Sequence, residues 1–237
     1  MSAGPTTAMV LAAGLGTRMR PLTDRMPKAL IPVRGRALID RVLDELVAAG
    51  VERAVVNVHY LAEQMEQHLA GRRDLEVLIS DERETLLDSG GGIQKARPLL
   101  GEDPIFVANI DSLWTSAGEP PLETLKRIWD PETMDLLLLL VSRGRGVGFE
   151  GPQGFLMDAA GRLTHSASPD VVTPFANVGF GILKPQILDG QADAAFSIIP
   201  IWHRLQAEGR LYGAPMDAFW MHVGDPAARD EAEARLG

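Results

Sequence analysis

From Thr7 to Ala13 the chain is an almost unbroken apolar run that stops at Gly14-Leu15-Gly16. A stretch this short, apolar on successive rather than alternate residues, reads as a strand buried on both faces, the kind found in parallel sheets covered by helices. The pattern recurs, with further strands predicted at Ala54–Val58, Leu75–Ser80 and Pro104–Ile110. Between them, Ala37–Ala49 places Leu38, Ile39, Val42, Leu43, Leu46 and Val47 at helical spacing, with Gly50 as the stop. Leu61–Leu69 reads as a second helix, and Ile93–Leu100 as a third that opens after Gly90-Gly91-Gly92. This β-α-β-α order predicts an α/β fold, a Rossmann-like doubly wound, mostly parallel mixed sheet with helices on both faces.

The second half changes rhythm. Leu122–Trp129 reads as a helix and Met134–Ser142 as a leucine-dense central strand. The glycine-rich segment Gly144–Gly154 is expected to be a surface loop with no regular element. A hairpin of Phe155–Met157 and Arg162–His165, a strand at Phe175–Leu183, and helices at Ser197–Ala207 and Pro226–Leu236 complete the reading. With no repeat or linker, residues 1–237 are expected to form a single domain.

Composition narrows the chemistry. A chain of 237 residues with 46% hydrophobic side chains can bury roughly 70–75% of its unfolded surface. The absence of cysteine excludes disulfides, a thiolate nucleophile and iron–sulfur or zinc-finger centres. A net charge of −9 argues against nucleic-acid or anionic-membrane partners, though not against a local basic pocket. The longest aliphatic run, Leu136–Val141, is far short of the ~20 residues of a membrane helix, so a cytoplasmic protein is expected.

The sharpest local signal is the loop after the first strand, Gly14-Leu15-Gly16-Thr17-Arg18-Met19-Arg20. Closely spaced glycines at the carboxyl edge of a sheet let backbone N–H groups approach phosphate oxygens, and Arg18, Arg20 and Lys28 supply positive charge. A Gly-rich turn with solvated arginines is the bland alternative. Neither a Walker A loop nor a Gly-x-Gly-x-x-Gly fingerprint matches the spacing. A second candidate is Asp111, which ends an apolar strand beside Asn109 and reads either as an oxygen ligand for a hard cation or as a turn aspartate.

Leu11 to Arg18, then Arg20-Pro21-Leu22-Thr23 and Pro27-Lys28-Ala29-Leu30-Ile31-Pro32-Val33, resemble the signature of the sugar-1-phosphate nucleotidyltransferases. The resemblance continues through Val56-Asn57-Val58-His59, Asp88 to Ile93, Asn109-Ile110-Asp111, Asn177-Val178-Gly179 and Trp220 to Gly224, nearly the whole chain. The three-glycine form and the lack of a C-terminal β-helix point to a uridylyltransferase branch, with mannose-1-phosphate guanylyltransferases as near neighbours. The resemblance implies in-line transfer of a nucleoside monophosphate from an NTP to a sugar 1-phosphate, with Mg2+ as cofactor. It implies that Leu11, Ala12, Ala13, Gly14, Gly16, Thr17 and Arg18 hold the nucleotide, with Gly90 and Gly91 against the base. Arg18 would stabilise the departing pyrophosphate, and Lys28, Asn109, Asn177 and Gly179 would hold the sugar phosphate. Arg18, Lys28 and Asp111 would be catalytic.

Two positions depart from the family pattern. Ile110 stands where a glycine is usual, and His222 stands at a metal-ligating aspartate position. Imidazole is a poor magnesium ligand. His222 could act through water, Asp225 could substitute or instead cap the Pro226 helix, or substrate phosphates could hold the second ion. A catalytically idle nucleotide-sugar sensor is the alternative in another class. Small-molecule partners only, and a monomer or homodimer, are expected.

Overall fold

The computed structural model describes residues 4–116, 118–149 and 153–236. The first half alternates β1 (Thr7–Leu11), a short ribbon of β2 (Pro32–Val33) and β3 (Arg36–Ala37), α1 (Leu38–Ala48), β4 (Arg53–Val58), α2 (Ala62–Leu69), β5 (Glu76–Asp81), α3 (Asp88–Leu100) and β6 (Ile105–Asn109). Then follow β7 (Ser112–Thr115), α4 (Pro121–Ile128), β8 (Leu136–Ser142), β9 (Gly146–Val147), β10 (Gly154–Met157), β11 (Leu163–Ser166) and β12 (Phe175–Leu183). The chain ends with α5 (Ile199–Ala207), β13 (Leu211–Pro215), β14 (Phe219–His222) and α6 (Pro226–Arg235).

Among the described residues the main sheet runs β11-β10-β12-β6-β1-β4-β5, with β8 beside β12 and β13 beside β8. The strands β6, β1, β4 and β5 are parallel, while β12 lies antiparallel to both β6 and β8. The expected α/β architecture is therefore present. One face of the sheet buries Val10, Val56 and Phe106 with α1, and the other buries Met9, Val55 and Ile105 with Ile93 of α3 and Leu205 of α5. Each central strand thus feeds two apolar layers, which is why these strands read as continuous hydrophobic runs. Among the described residues no helix is long and apolar enough to cross a membrane.

The chain enters the sheet at β1, proceeds outward through β4 and β5, and returns to the other side of β1 as β6. That reversal opens a crevice at the carboxyl ends of β1 and β6, where ligands of doubly wound sheets bind. The glycine loop leaves β1 there, and Asp111 follows β6.

Three local expectations need correction. The glycine run lies inside α3, which begins at Asp88, rather than ahead of the helix. The segment 144–154 is not wholly irregular, because Gly146–Val147 pairs in parallel with Trp220–Met221 of β14 and Gly154 opens β10; its centre, residues 150–152, lies outside the described residues. The strands β7, β13 and β14 were not anticipated; β7 and β14 join β9 in a small sheet over the crevice edge.

Candidate active site

Two neighbouring cavities open at the crevice. One, of about 390 Å³, is walled by Leu11, Ala12, Gly14, Gly16, Thr17, Lys28 and Leu86. The other, of about 330 Å³, is walled by Phe155, His165, Asn177, Gly179, Trp202 and His222. Arg18, Asn109 and Asp111 line both.

The glycine loop owes its shape to specific contacts. Gly16 has φ 62°, and a Cβ there would press on Thr23 and Lys28 at 2.9 and 3.0 Å, so glycine is required by both conformation and packing. Its carbonyl accepts the Thr23 hydroxyl at 2.8 Å. Gly14 differs, since a Cβ there would meet no protein atom within 4 Å. The fold does not need glycine at position 14; a ligand approaching the backbone would.

A buried pair fixes the start of the loop. Asn57 Oδ1 accepts the N–H groups of Ala12 and Ala13 at 2.6 and 3.2 Å, and its amide donates to Glu82 Oε1 at 2.7 Å. Glu82 is fully buried and also accepts Leu87 N–H at 3.1 Å. Glu82 is therefore not the solvated loop charge its position suggests; only Asp81 beside it is exposed, paired with Arg83. Asn57, a polar residue inside a β-branched run, was the available signal for this support. Ala13 is buried with its N–H on Asn57 and is not brought to the cavity wall.

At the crevice floor Lys28 Nζ lies 2.7 Å from Asp111 Oδ2, and His222 Nε2 lies 3.3 Å from the same oxygen. His222 Nδ1 donates to the Gly148 carbonyl at 2.9 Å. Burial opposes the charge of Asp111, but the His222 hydrogen bond and the Lys28 charge outweigh it and hold the carboxyl well below its usual range. Burial also works against an imidazolium at His222; the bond and charge of Asp111 and the Gly148 carbonyl reverse it, so its pKa is raised.

These contacts bear on metal binding. Among the described residues no group of three or more His, Asp or Glu side chains gathers that could hold an ion. Both nitrogens of His222 are engaged by Asp111 and Gly148. Asp225 Oδ1 caps α6 by accepting Ala228 N–H at 2.9 Å, the capping role its Asp-Pro sequence allows. A single carboxylate is left, and its Oδ1 accepts no hydrogen bond among the described residues. This donor set fits magnesium, which is commonly held by one or two carboxylates together with substrate phosphates.

Other predicted residues divide. Arg18 is exposed and faces both cavities, whereas Arg20 pairs with Asp24 at 3.5 Å and lines neither. Asn177 lines the second cavity while its Oδ1 accepts Gly179 N–H at 2.9 Å, so the wall and the backbone roles coexist. Gly179 has φ 83° and lies under Asn109, whose side chain a Cβ would strike. Gly90 and Gly91 are buried, and their N–H groups donate to the Phe196 carbonyl at 2.9 and 3.1 Å; neither lines the first cavity. Trp202 and His165, which no sequence motif singles out, stand on the wall of the second cavity.

Residues 8–118 match the MobA-like NTP transferase domain. The chain is 49% identical to N-acetylmuramate alpha-1-phosphate uridylyltransferase of Caulobacter vibrioides, covering 100% of this chain and 99% of that protein. It is 32% identical to the protein of the same name from Neisseria meningitidis serogroup B, over 97% and 98% of the two chains. The inositol-1-phosphate CTP transferase from T. maritima superposes with a TM-score of 0.80 over 99% of this chain and 97% of that one, at 18% identity, and shares the fold. The domain matched over residues 8–118 is that of NTP transferases. Within that class, the full-length relatives show that the chain belongs to the sugar-1-phosphate nucleotidyltransferase family.

Proposed function

We propose that the protein transfers a uridylyl group from UTP to N-acetylmuramate 1-phosphate, releasing pyrophosphate. The observation that carries this reading is the pair of cavities meeting at Arg18, Asn109 and Asp111, one walled by a phosphate-type glycine loop and the other by polar and aromatic side chains. The name of the 49%-identical relative supports the choice of base and sugar.

On this reading the triphosphate lies along the glycine loop, with backbone at Gly14 open to its oxygens. Arg18, at the junction, neutralises charge developing on pyrophosphate as it leaves. Lys28 exchanges its Asp111 contact for a phosphate oxygen and holds the sugar phosphate in line with the α-phosphorus. Asp111 Oδ1 and phosphate oxygens would hold Mg2+, which when bound supplies charge neutralisation and polarises the α-phosphoryl group. Asn109 and Asn177 orient the acceptor. We further infer a cytoplasmic monomer or homodimer.

Purified protein with Mg2+, UTP and N-acetylmuramate 1-phosphate is expected to release pyrophosphate, and more slowly with GTP and mannose 1-phosphate. Asp111→Asn should lower kcat by about 10²-fold or more while nucleotide binding persists. Absence of turnover with every nucleotide and sugar pair would overturn the reading and leave a sensor.

A further inference from the structure

The sugar-side cavity ends, away from the phosphate groups, on an aromatic wall. Phe155 of β10 stands 5.1 Å from the ring of His165 on β11 and 5.6 Å from Trp202 on α5, and His165 and Trp202 are 5.7 Å apart. Behind His165, His203 of α5 brings its Nε2 to 3.0 Å from His165 Nδ1.

The side chains on this cavity that can carry positive charge are Arg18, His165 and His222. Arg18 is shared with the nucleotide side, and His222 is engaged by Asp111 and Gly148, so both belong to the phosphate end. His165 lies elsewhere. It pairs across the sheet with Phe155, which pairs with Phe175, two residues before Asn177. Two strand spacings and two residues along a strand put His165 about 12 Å from Asn177, Cα to Cα.

When His203 donates to Nδ1, the proton of the neutral His165 ring sits on Nε2, which has no protein partner among the described residues. Burial, and then the neighbouring His203, push the pKa of His165 down, so that in this tautomer the ring offers a neutral N–H donor rather than a buried ion. A donor with an apolar aromatic surround, remote from the phosphates, matches a carboxylate on a short aliphatic stem.

We propose that His165, oriented by His203 and flanked by Phe155 and Trp202, receives the carboxylate of the lactyl ether on the acceptor sugar. It thereby selects the acidic sugar over its neutral parent. The assignment rests on the function proposed above and names the residue that makes it specific.

UDP-N-acetylmuramate and UDP-N-acetylglucosamine differ only by that lactyl ether, so both are titrated into wild type and His165→Phe, with His165→Gln as a second variant should the first fail to fold. Phenylalanine keeps an aromatic ring at the site and removes the nitrogens. The variant is expected to bind UDP-N-acetylmuramate about 10- to 100-fold more weakly, as befits a lost hydrogen bond to a charged group, with UDP-N-acetylglucosamine unchanged within about twofold. Equal weakening of both ligands, or of neither, overturns the proposal. If wild type forms UDP-N-acetylmuramate yet the variant discriminates as before, this proposal alone falls. If wild type turns over only other nucleotide and sugar pairs, the functional reading falls and takes this one with it.

Discussion

Two carboxylates show how the fold sets the charge of individual groups. Asp111 is kept ionised by the cations that meet on its Oδ2, and Lys28, only 9% exposed, is tolerated there because Asp111 pairs with it. Glu45 on α1 is the opposite case. Burial, reinforced by the charge of Asp44, raises its pKa despite a hydrogen bond with Trp114. The folded protein therefore holds the Glu45 proton more tightly than the unfolded chain does. That contribution to stability is present below about pH 4.5 and is lost as pH rises through the folded value. Glu45→Gln should then be more stable than wild type at neutral pH and show no gain below about pH 4, as read from urea midpoints across the pH range. That Arg18, Lys28 and Asp111 line one cleft was legible from the motif spacing. The burial of Glu82 and the place of His165 on the second cavity were not, because neighbours remote in sequence set both and neither is written locally.

At the level of elements, α3 is the least typical. Three consecutive glycines in a helix cost about 1 kcal/mol each relative to alanine, so close packing must require them. Side chains at Gly90 and Gly91 would run into Phe196 and Ala194, and one at Gly92 would stand 2.9 Å from both Asn57 Nδ2 and Glu82 Oε1. The run lets α3 lie against the segment before α5 on one side and the Asn57–Glu82 pair that fixes the glycine loop on the other. Gly91→Ala should destabilise the fold by about 1–3 kcal/mol, because the backbone carbonyl of Ala194 can move aside only with its neighbours, and equilibrium urea denaturation would measure it. Sequence pattern found β1, β4, β5, β6 and β12, each of which is built around a short apolar stretch. It missed β13, Leu-Tyr-Gly-Ala-Pro, because glycine and proline mask a strand that pairs in parallel with β8 and uses Gly213 to admit Leu140 and Leu163. Gly146–Val147 was missed for a related reason, since its pairing partner lies 74 residues away in β14.

Across the whole molecule, the two halves of the chain share one sheet. β12 pairs with β6, and α6 returns to the N-terminal ribbon, where Glu233 accepts Arg34 N–H at 2.7 Å and Arg229 donates to the Pro32 carbonyl at 3.1 Å. Unfolding should therefore be a single transition, with tryptophan fluorescence and far-UV circular dichroism giving coincident urea curves; two separated midpoints would indicate independent halves. The doubly wound architecture was legible from strand and helix order alone, while the small β7-β14-β9 sheet was not, since it assembles segments remote in sequence. That sheet sits beside the second cavity, whereas the loop after β1 and Leu86 wall the first, and among the described residues only Arg18, Asn109 and Asp111 line both. On the proposed function, donor and acceptor preference are carried by almost separate sets of residues, so that evolution or an engineer could exchange one without rewriting the other. On that reading a lineage of such enzymes could recombine bases and sugars, provided that the shared junction is inherited intact.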